Sequence, residues 1–399
     1  MSTTPQIPAP AHMLADSMLS RHFGKETANY FSSSPINRLS FLRSDHPFLS
    51  TALKHPSARF VLLNNLAPLT PSPAQLHYAK YDEVQKLVPH DIFDTSEEEM
   101  IKNYDSRKTH PTLIFLGLDE NRKEGGLAWK IYSGTPYFAV DVTPKGSEEQ
   151  QTAAKDVIGA MEAKGLSFFQ TRVVMSFSAD EAAIYAQARA LMDWNTRNTF
   201  CGTCGHRTLA INRGQGRRAA GVQYPNYALE PFLPRTDPTI IVAVVSADGK
   251  RILLGRSKRF PPGWYSTLAG FIEPAESIED AVRREVWEES GVTLSRVVIH
   301  SSQPWPYPAN LMIGAIAQVS DPAHETISLQ HDPELEDARW FEVEEVEEAL
   351  RIGTSDLSSE AGPEYKGGLR LPPPTAIANQ LIQAAVSADY FAAEKHSKI

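Results

Sequence analysis

The sequence predicts an α/β (α+β) chain of two or three domains. Apolar runs of strand length, among them Phe60–Leu63, Thr112–Leu116 and Tyr137–Val142, recur between polar turns. Helical spacing appears elsewhere: Ile184, Ala188, Leu191 and Met192 within Ala179–Arg197, then Ile278, Val282 and Val286. At 399 residues the chain exceeds what a single hydrophobic core ordinarily supports.

Composition narrows the class. A hydrophobic share of 42% with 22% charged residues is enough to bury real cores, unlike a disordered chain. The net charge of -9 supplies no global attraction to nucleic acid or an anionic membrane. The longest apolar runs fall far short of the roughly 20 residues that cross a bilayer, so no membrane partner is expected. No compact apolar segment behind a basic start is found near the amino terminus, so no secretory signal is expected. The only cysteines, Cys201 and Cys204, are too few for a disulfide framework and suit a reducing compartment.

Taken in order, residues to about 10 read as a tail, and 1–195 as a mostly β amino-terminal domain ending in the 179–197 helix. Residues 196–236 form a linker carrying the cysteine pair. Within it, 212–227 is rich in Gly, Arg and Asn without periodicity and reads as a loop. A second domain, 237–399, opens with a strand over 239–246. The turn Ala247-Asp248-Gly249-Lys250 and a strand over 251–254 complete a hairpin. Further strands are expected at 297–300 and 311–318, and a last helix at 375–394. No sequence repeat of fixed period is present.

The informative stretch is Leu268–Val292. Ser277 is a natural N-cap, Asp280 lies three residues on, and Gly291 can end a helix in the left-handed conformation, which predicts a helix over 278–290. Its apolar residues fall on one face. Glu285, Glu288 and Glu289 crowd another at i, i+3 and i+4, where like charges repel and invite a cation. Hard carboxylate oxygens suit Mg2+ or Mn2+. A diphosphate resists water because its oxygens are negative, and clustered cations would answer that charge and acidify a water.

Gly270, Glu276, Arg284, Glu285, Val286, Glu288, Glu289, Gly291 and Val292 fit every defined position of G-x5-E-x7-R-E-U-x-E-E-x-G-U, where U is bulky and aliphatic. By ordinary residue frequencies such a match arises on the order of once in a million chains or less. The segment thus resembles the Nudix hydrolase family, which implies an α/β/α sandwich and a metal-dependent pyrophosphatase. The resemblance implies metal binding by Glu285, Glu288, Glu289 and the Ala269 carbonyl. Arg284 is implied to orient the carboxylates, Glu289 to act as base, and Glu276 to play a supporting part.

Beyond the box, Ser302-Gln303-Pro304-Trp305-Pro306-Tyr307-Pro308-Ala309-Asn310 closely resembles the signature of the NADH pyrophosphatase subfamily, with Tyr307 and Asn310 as departures. Substrate contact by Gln303, Pro304, Trp305, Pro306, Tyr307, Pro308, Ala309 and Asn310 is implied. Prolines would hold Trp305 and Tyr307 as flat surfaces beside a base, leaving the Gln303 and Asn310 amides to bond the substrate. Glu334 matches a glutamate that completes the metal site, and Ala378 an alanine that touches substrate. The substrate implied is NAD(H), cut to NMN(H) and AMP, with ADP-ribose or the NAD cap of an RNA as the alternative. A homodimer is expected on the same ground.

Cys201-Gly202-Thr203-Cys204-Gly205 resembles the first knuckle of the zinc ribbon found in that subfamily. A structural zinc needs four ligands and the chain has no third or fourth cysteine. A degenerate, metal-free remnant is therefore expected over a site in which Cys201 and Cys204 hold zinc. Ser397-Lys398-Ile399 resembles a peroxisomal address, so a peroxisomal location is expected, with the cytoplasm otherwise.

Overall fold

The computed structural model describes residues 27–94, 99, 112–170, 174–200, 205, 208–211, 216–219, 235–273, 276–319, 321–331, 334–358 and 362–387. Cys201, Cys204 and Ser397–Ile399 lie outside them, as does the expected amino-terminal tail. The chain divides into two compact units: 31–236 with 305–309 in one, and 237–304 with 310–399 in the other, each joined by part of residues 1–30.

The first unit runs β1 (Ile36–Asn37), α1 (His46–Lys54), β2 (Arg59–Asn64), β3 (Ala67–Thr70), β4 (Tyr78–Ala79) and α2 (Tyr81–Val84). It continues with β5 (Leu113–Asp119), β6 (Leu127–Trp129), β7 (Tyr132–Asp141), α3 (Glu148–Glu162), β8 (Ser167–Phe168), α4 (Ala179–Arg197), β9 (Thr208–Ile211) and β10 (Gly216–Ala219). The main sheet has the order β1-β5-β7-β2-β3-β8, with β4 on β2 and β6 on β7. One face buries Phe60, Leu62, Phe115 and Phe138 against Phe48 and Leu49 of α1 and Val157 and Met161 of α3. The sheet agrees with the strands read from sequence, and helices α1 and α3 add to it. The helix expected over 179–197 is α4. The loop expected over 212–227 needs correction: Gly216–Ala219 pairs antiparallel with Thr208–Ile211, because ladder bonds formed without an alternating apolar pattern to announce them.

The second unit runs β11 (Asp237–Val245), β12 (Arg251–Ser257), β13 (Leu268–Phe271), α5 (Ile278–Ser290), β14 (Arg296–Trp305), β15 (Asn310–Gln318), β16 (Leu335–Glu342), α6 (Val343–Ile352) and α7 (Ile377–Val386). Its sheet has the order β14-β15-β11-β12-β16, with β13 on β11. The unbroken apolar run of β11 is explained by burial on both faces. Ile241, Ala243 and Val245 pack toward Val346 and Ala349 of α6 and Leu381 and Ile382 of α7. Ile240, Val242 and Val244 pack toward Ala281, Val282 and Val286 of α5. The result is an α/β/α sandwich. The helix expected over 375–394 is shorter, Ile377–Val386, because the chain turns extended at Ser387.

The two sheets share one pairing scheme. In the first, β2 lies parallel to β7 and antiparallel to both β3 and β4. In the second, β11 lies parallel to β15 and antiparallel to both β12 and β13. The repetition lies in topology, where a search for a sequence period finds none.

Candidate active site

The site is built on α5 and the strand before it. Ser277 accepts a hydrogen bond from the Asp280 amide at 3.2 Å, and Gly291 closes the helix at φ 74°. Glu279 and Asp280 occupy the first turn, where the helix dipole favours negative charge. With Val282 and Val286 locked in the core, the helix can rotate no further, so the orientation of its acidic face is decided by packing.

Arg284 organises that face. Its guanidinium donates to both Glu276 oxygens, at 2.7 and 2.8 Å, and to the Phe271 carbonyl at 2.9 Å. Nη1 bridges Glu285 Oε1 at 2.8 Å and Glu288 Oε2 at 3.1 Å. The planar fork suits this use, since a lysine could not hold three carboxylates and a carbonyl in fixed directions. The Glu273 amide also donates to Glu276 at 3.0 Å. Pairing with Arg284 holds the Glu276 carboxyl below the ordinary glutamate range. Burial, reinforced by the charges of Glu288 and Glu334, pushes Glu285 above it despite Arg284.

Gly270 has a definite reason to be glycine. A Cβ there would stand 1.9 Å from the Glu285 carboxyl carbon, so the carboxylate rests directly against the strand backbone. Ala269 beside it is the register partner of Ile241. Glu289 is buried. Glu334 is exposed, yet close enough for its charge to act on Glu285.

Among the described residues, no three acidic, histidine or cysteine side chains stand converged as a ready metal cage. Arg284 links the Glu285 and Glu288 carboxylates through one oxygen of each, leaving Glu285 Oε2 and Glu288 Oε1 for another cation. The donor set, carboxylates beside a backbone strand, fits a hard divalent ion.

The residues expected to touch substrate separate into two groups. Gln303 is fully buried: its amide donates to the Tyr30 and Thr375 carbonyls and accepts from the Ile377 amide, all at 2.9 Å. It is therefore not available to bond a dinucleotide as the sequence suggested, because three backbone partners already take it. Ala378 likewise packs in the core with Ile377 and Leu381. Asn310 donates to Thr239 Oγ1 at 3.3 Å and keeps a buried Oδ1 without a partner.

Trp305–Ala309, including Pro306, Pro308 and Ala309, belongs to the first unit; Pro304 is half-buried in the second. The Tyr307 hydroxyl accepts from the Val174 amide at 2.8 Å, and the Arg189 guanidinium lies 4.5 Å over its ring. Trp305 meets Phe31 edge-on at 6.0 Å. One feature the sequence reading missed is Trp287, exposed on α5 and stacked on His331 at 4.3 Å. Its only signal was a large aromatic residue among the carboxylates.

Residues 235–359 match the family described as NUDIX domain, and 57–194 match the NADH pyrophosphatase-like rudimentary NUDIX domain. The chain is similar to the NAD-capped RNA hydrolase of Schizosaccharomyces pombe, 33% identical over 93% of this chain and 97% of that protein. It is similar also to the human NAD-capped RNA hydrolase NUDT12, 35% identical over 90% and 73% of the two chains. The mitochondrial NAD(P)H pyrophosphatase NUDT13 of Mus musculus is 36% identical over 62% and 67%. With the Nudix box folded around Arg284 and a relative matched along nearly its whole length, the chain belongs to the Nudix hydrolase family, in its NADH pyrophosphatase-type branch.

Proposed function

We propose that the protein hydrolyses the diphosphate linkage of NADH and NAD, releasing NMN(H) and AMP. The observation that carries this reading is the Arg284-bridged carboxylate cluster lying against Gly270. Glu285, Glu288 and Glu289 would hold Mg2+ or Mn2+ with the Ala269 carbonyl, and Glu334, whose charge acts on Glu285, would join them. Such an ion, when bound, neutralises diphosphate oxygens and makes a coordinated water acidic. Arg284 keeps Glu285 and Glu288 from moving apart as charge builds, a preorganised arrangement that needs no rearrangement during reaction. Glu289 accepts the proton of the attacking water. The water oxygen forms a bond to one phosphorus, and the bridging P–O bond breaks to give two monophosphates.

A second substrate is supported by relatives described as NAD-capped RNA hydrolases, because the cap carries the same linkage. Product analysis with NADH, NAD, ADP-ribose and NAD-capped RNA under magnesium tests both. AMP and NMN(H) from the dinucleotides are expected. Intact NADH and NAD after prolonged incubation would overturn the reading, whichever of the other substrates is cut.

A further inference from the structure

The shared pairing scheme locates a second region of interest. In the second unit the chain leaves β13 beside the start of β11, where the Ile272 amide bonds the Pro238 carbonyl at 3.1 Å, and the carboxylate helix follows. In the first unit it leaves β4 beside the start of β2, with Ala79 opposite Phe60. Among the described residues the four-residue α2 follows there. Lys80 lies at that end, and its Nζ reaches the Pro56 carbonyl at 3.3 Å.

Around it lies a groove of about 410 Å³ lined by Arg59, Lys80, Arg122 and Lys123, with Glu124 as the one acid. Four cations against one anion is a local excess of positive charge in a chain whose net charge is -9. Arg59 is held rather than loose: its guanidinium sits 5.5 and 5.9 Å from the Tyr78 and Tyr137 ring centres. Arg122 is anchored by the nearly buried Asp119 at 3.0 Å. Lys80 and Lys123 are exposed on the rim. Two positioned guanidiniums with two exposed ammoniums make a receptor for phosphate oxygens. The adjoining cavity, which shares Arg122, is lined by Tyr78 and Tyr137 with Gln75 and the acids Asp119, Asp180 and Glu181, so the phosphates are assigned to the basic groove and only a ring and its polar edge would face this side.

We propose that this groove of the first unit binds the phosphate groups of nucleotides, at the end of the repeated fold that in the second unit carries the catalytic carboxylates. The inference concerns binding alone and stands apart from hydrolysis. Its source is either a free nucleotide or the RNA body behind a cap.

The test uses the full chain in EDTA, which keeps the hydrolytic site silent. Binding of 5′-fluorescein oligoadenylates of two to ten nucleotides is followed by anisotropy across a salt series, with ADP as competitor. Lys80→Gln/Lys123→Gln should weaken binding at least about tenfold at low salt. It should also lower the slope of log affinity against log salt by about 1.4, at roughly 0.7 per lost phosphate contact. Affinity that rises with length assigns the groove to an RNA strand, and length-independent binding matched by ADP assigns it to free nucleotides. NADH turnover under magnesium should be the same for variant and wild type, so a failure of the hydrolytic reading shows separately. The reversal Lys123→Glu, on a side chain with no ion pair among the described residues, provides a second variant should the first fold poorly. Equal affinities and slopes for wild type and variants, or no binding of either probe at millimolar concentration, would overturn the proposal.

Discussion

Glu285 cannot lie where it does unless residue 270 lacks a side chain. Gly270→Ala places a methyl 1.9 Å from its carboxyl carbon, so the carboxylate must swing away and break from Arg284. Turnover should fall at least about tenfold, and the magnesium concentration for half-activity should rise, while circular dichroism stays that of the wild type. Glu289→Gln keeps the shape and removes the proposed base. At saturating magnesium and NADH its turnover should fall at least about a hundredfold with the fold intact. Near wild-type turnover would contradict the mechanism. The Glu276–Arg284 pair makes a pH-dependent contribution. Because the folded carboxyl is held below its ordinary value of 4.5, its stabilisation is complete above that pH and disappears as pH falls through the depressed value. The melting temperature of Glu276→Gln should therefore lie below that of wild type at neutral pH and converge with it in acid.

At the scale of elements, β14 and α7 depend on one amide. Gln303, on β14, satisfies the Ile377 amide at the start of α7 and the carbonyls of Thr375 and Tyr30. Ala376 offers no side chain to cap that helix, so Gln303 supplies the cap from a distant strand. Gln303→Ala would strand three buried polar groups and should cost about 2–4 kcal/mol in urea unfolding. The folded fraction should keep its Michaelis constant for NADH; a raised constant with unchanged stability would restore Gln303 to the substrate. The carboxylate-bearing helix α5 was legible in sequence because each of its signals is local: Ser277, the four-residue apolar step and Gly291 act within one segment. Gln303 was not, since its partners lie 72 to 273 residues away.

At the scale of the molecule, two sheets use one scheme, and among the described residues the Arg284-bridged carboxylates stand on the second. Magnesium should therefore slow hydrogen exchange in α5 and β13 and leave β2 and β7 unchanged. Equal protection in the first unit would mean that it holds a metal too. This repetition escaped the sequence because strand pairing is set by backbone hydrogen bonds and burial pattern, which many unrelated side chains satisfy. What the sequence by itself determined is the chemistry: the spacing of Arg284, Glu285, Glu288 and Glu289 on one helix is periodicity, and periodicity is written in the chain. Only the tertiary structure decided which neighbours those residues acquired. Packing of Val282 and Val286 aims the carboxylates at Gly270, and long-range contacts draw Gln303 into the interior. Turns far apart in the chain bring Arg59, Lys80, Arg122 and Lys123 around one groove. Each of those outcomes depends on which surfaces meet in space, and no local pattern of residues encodes that.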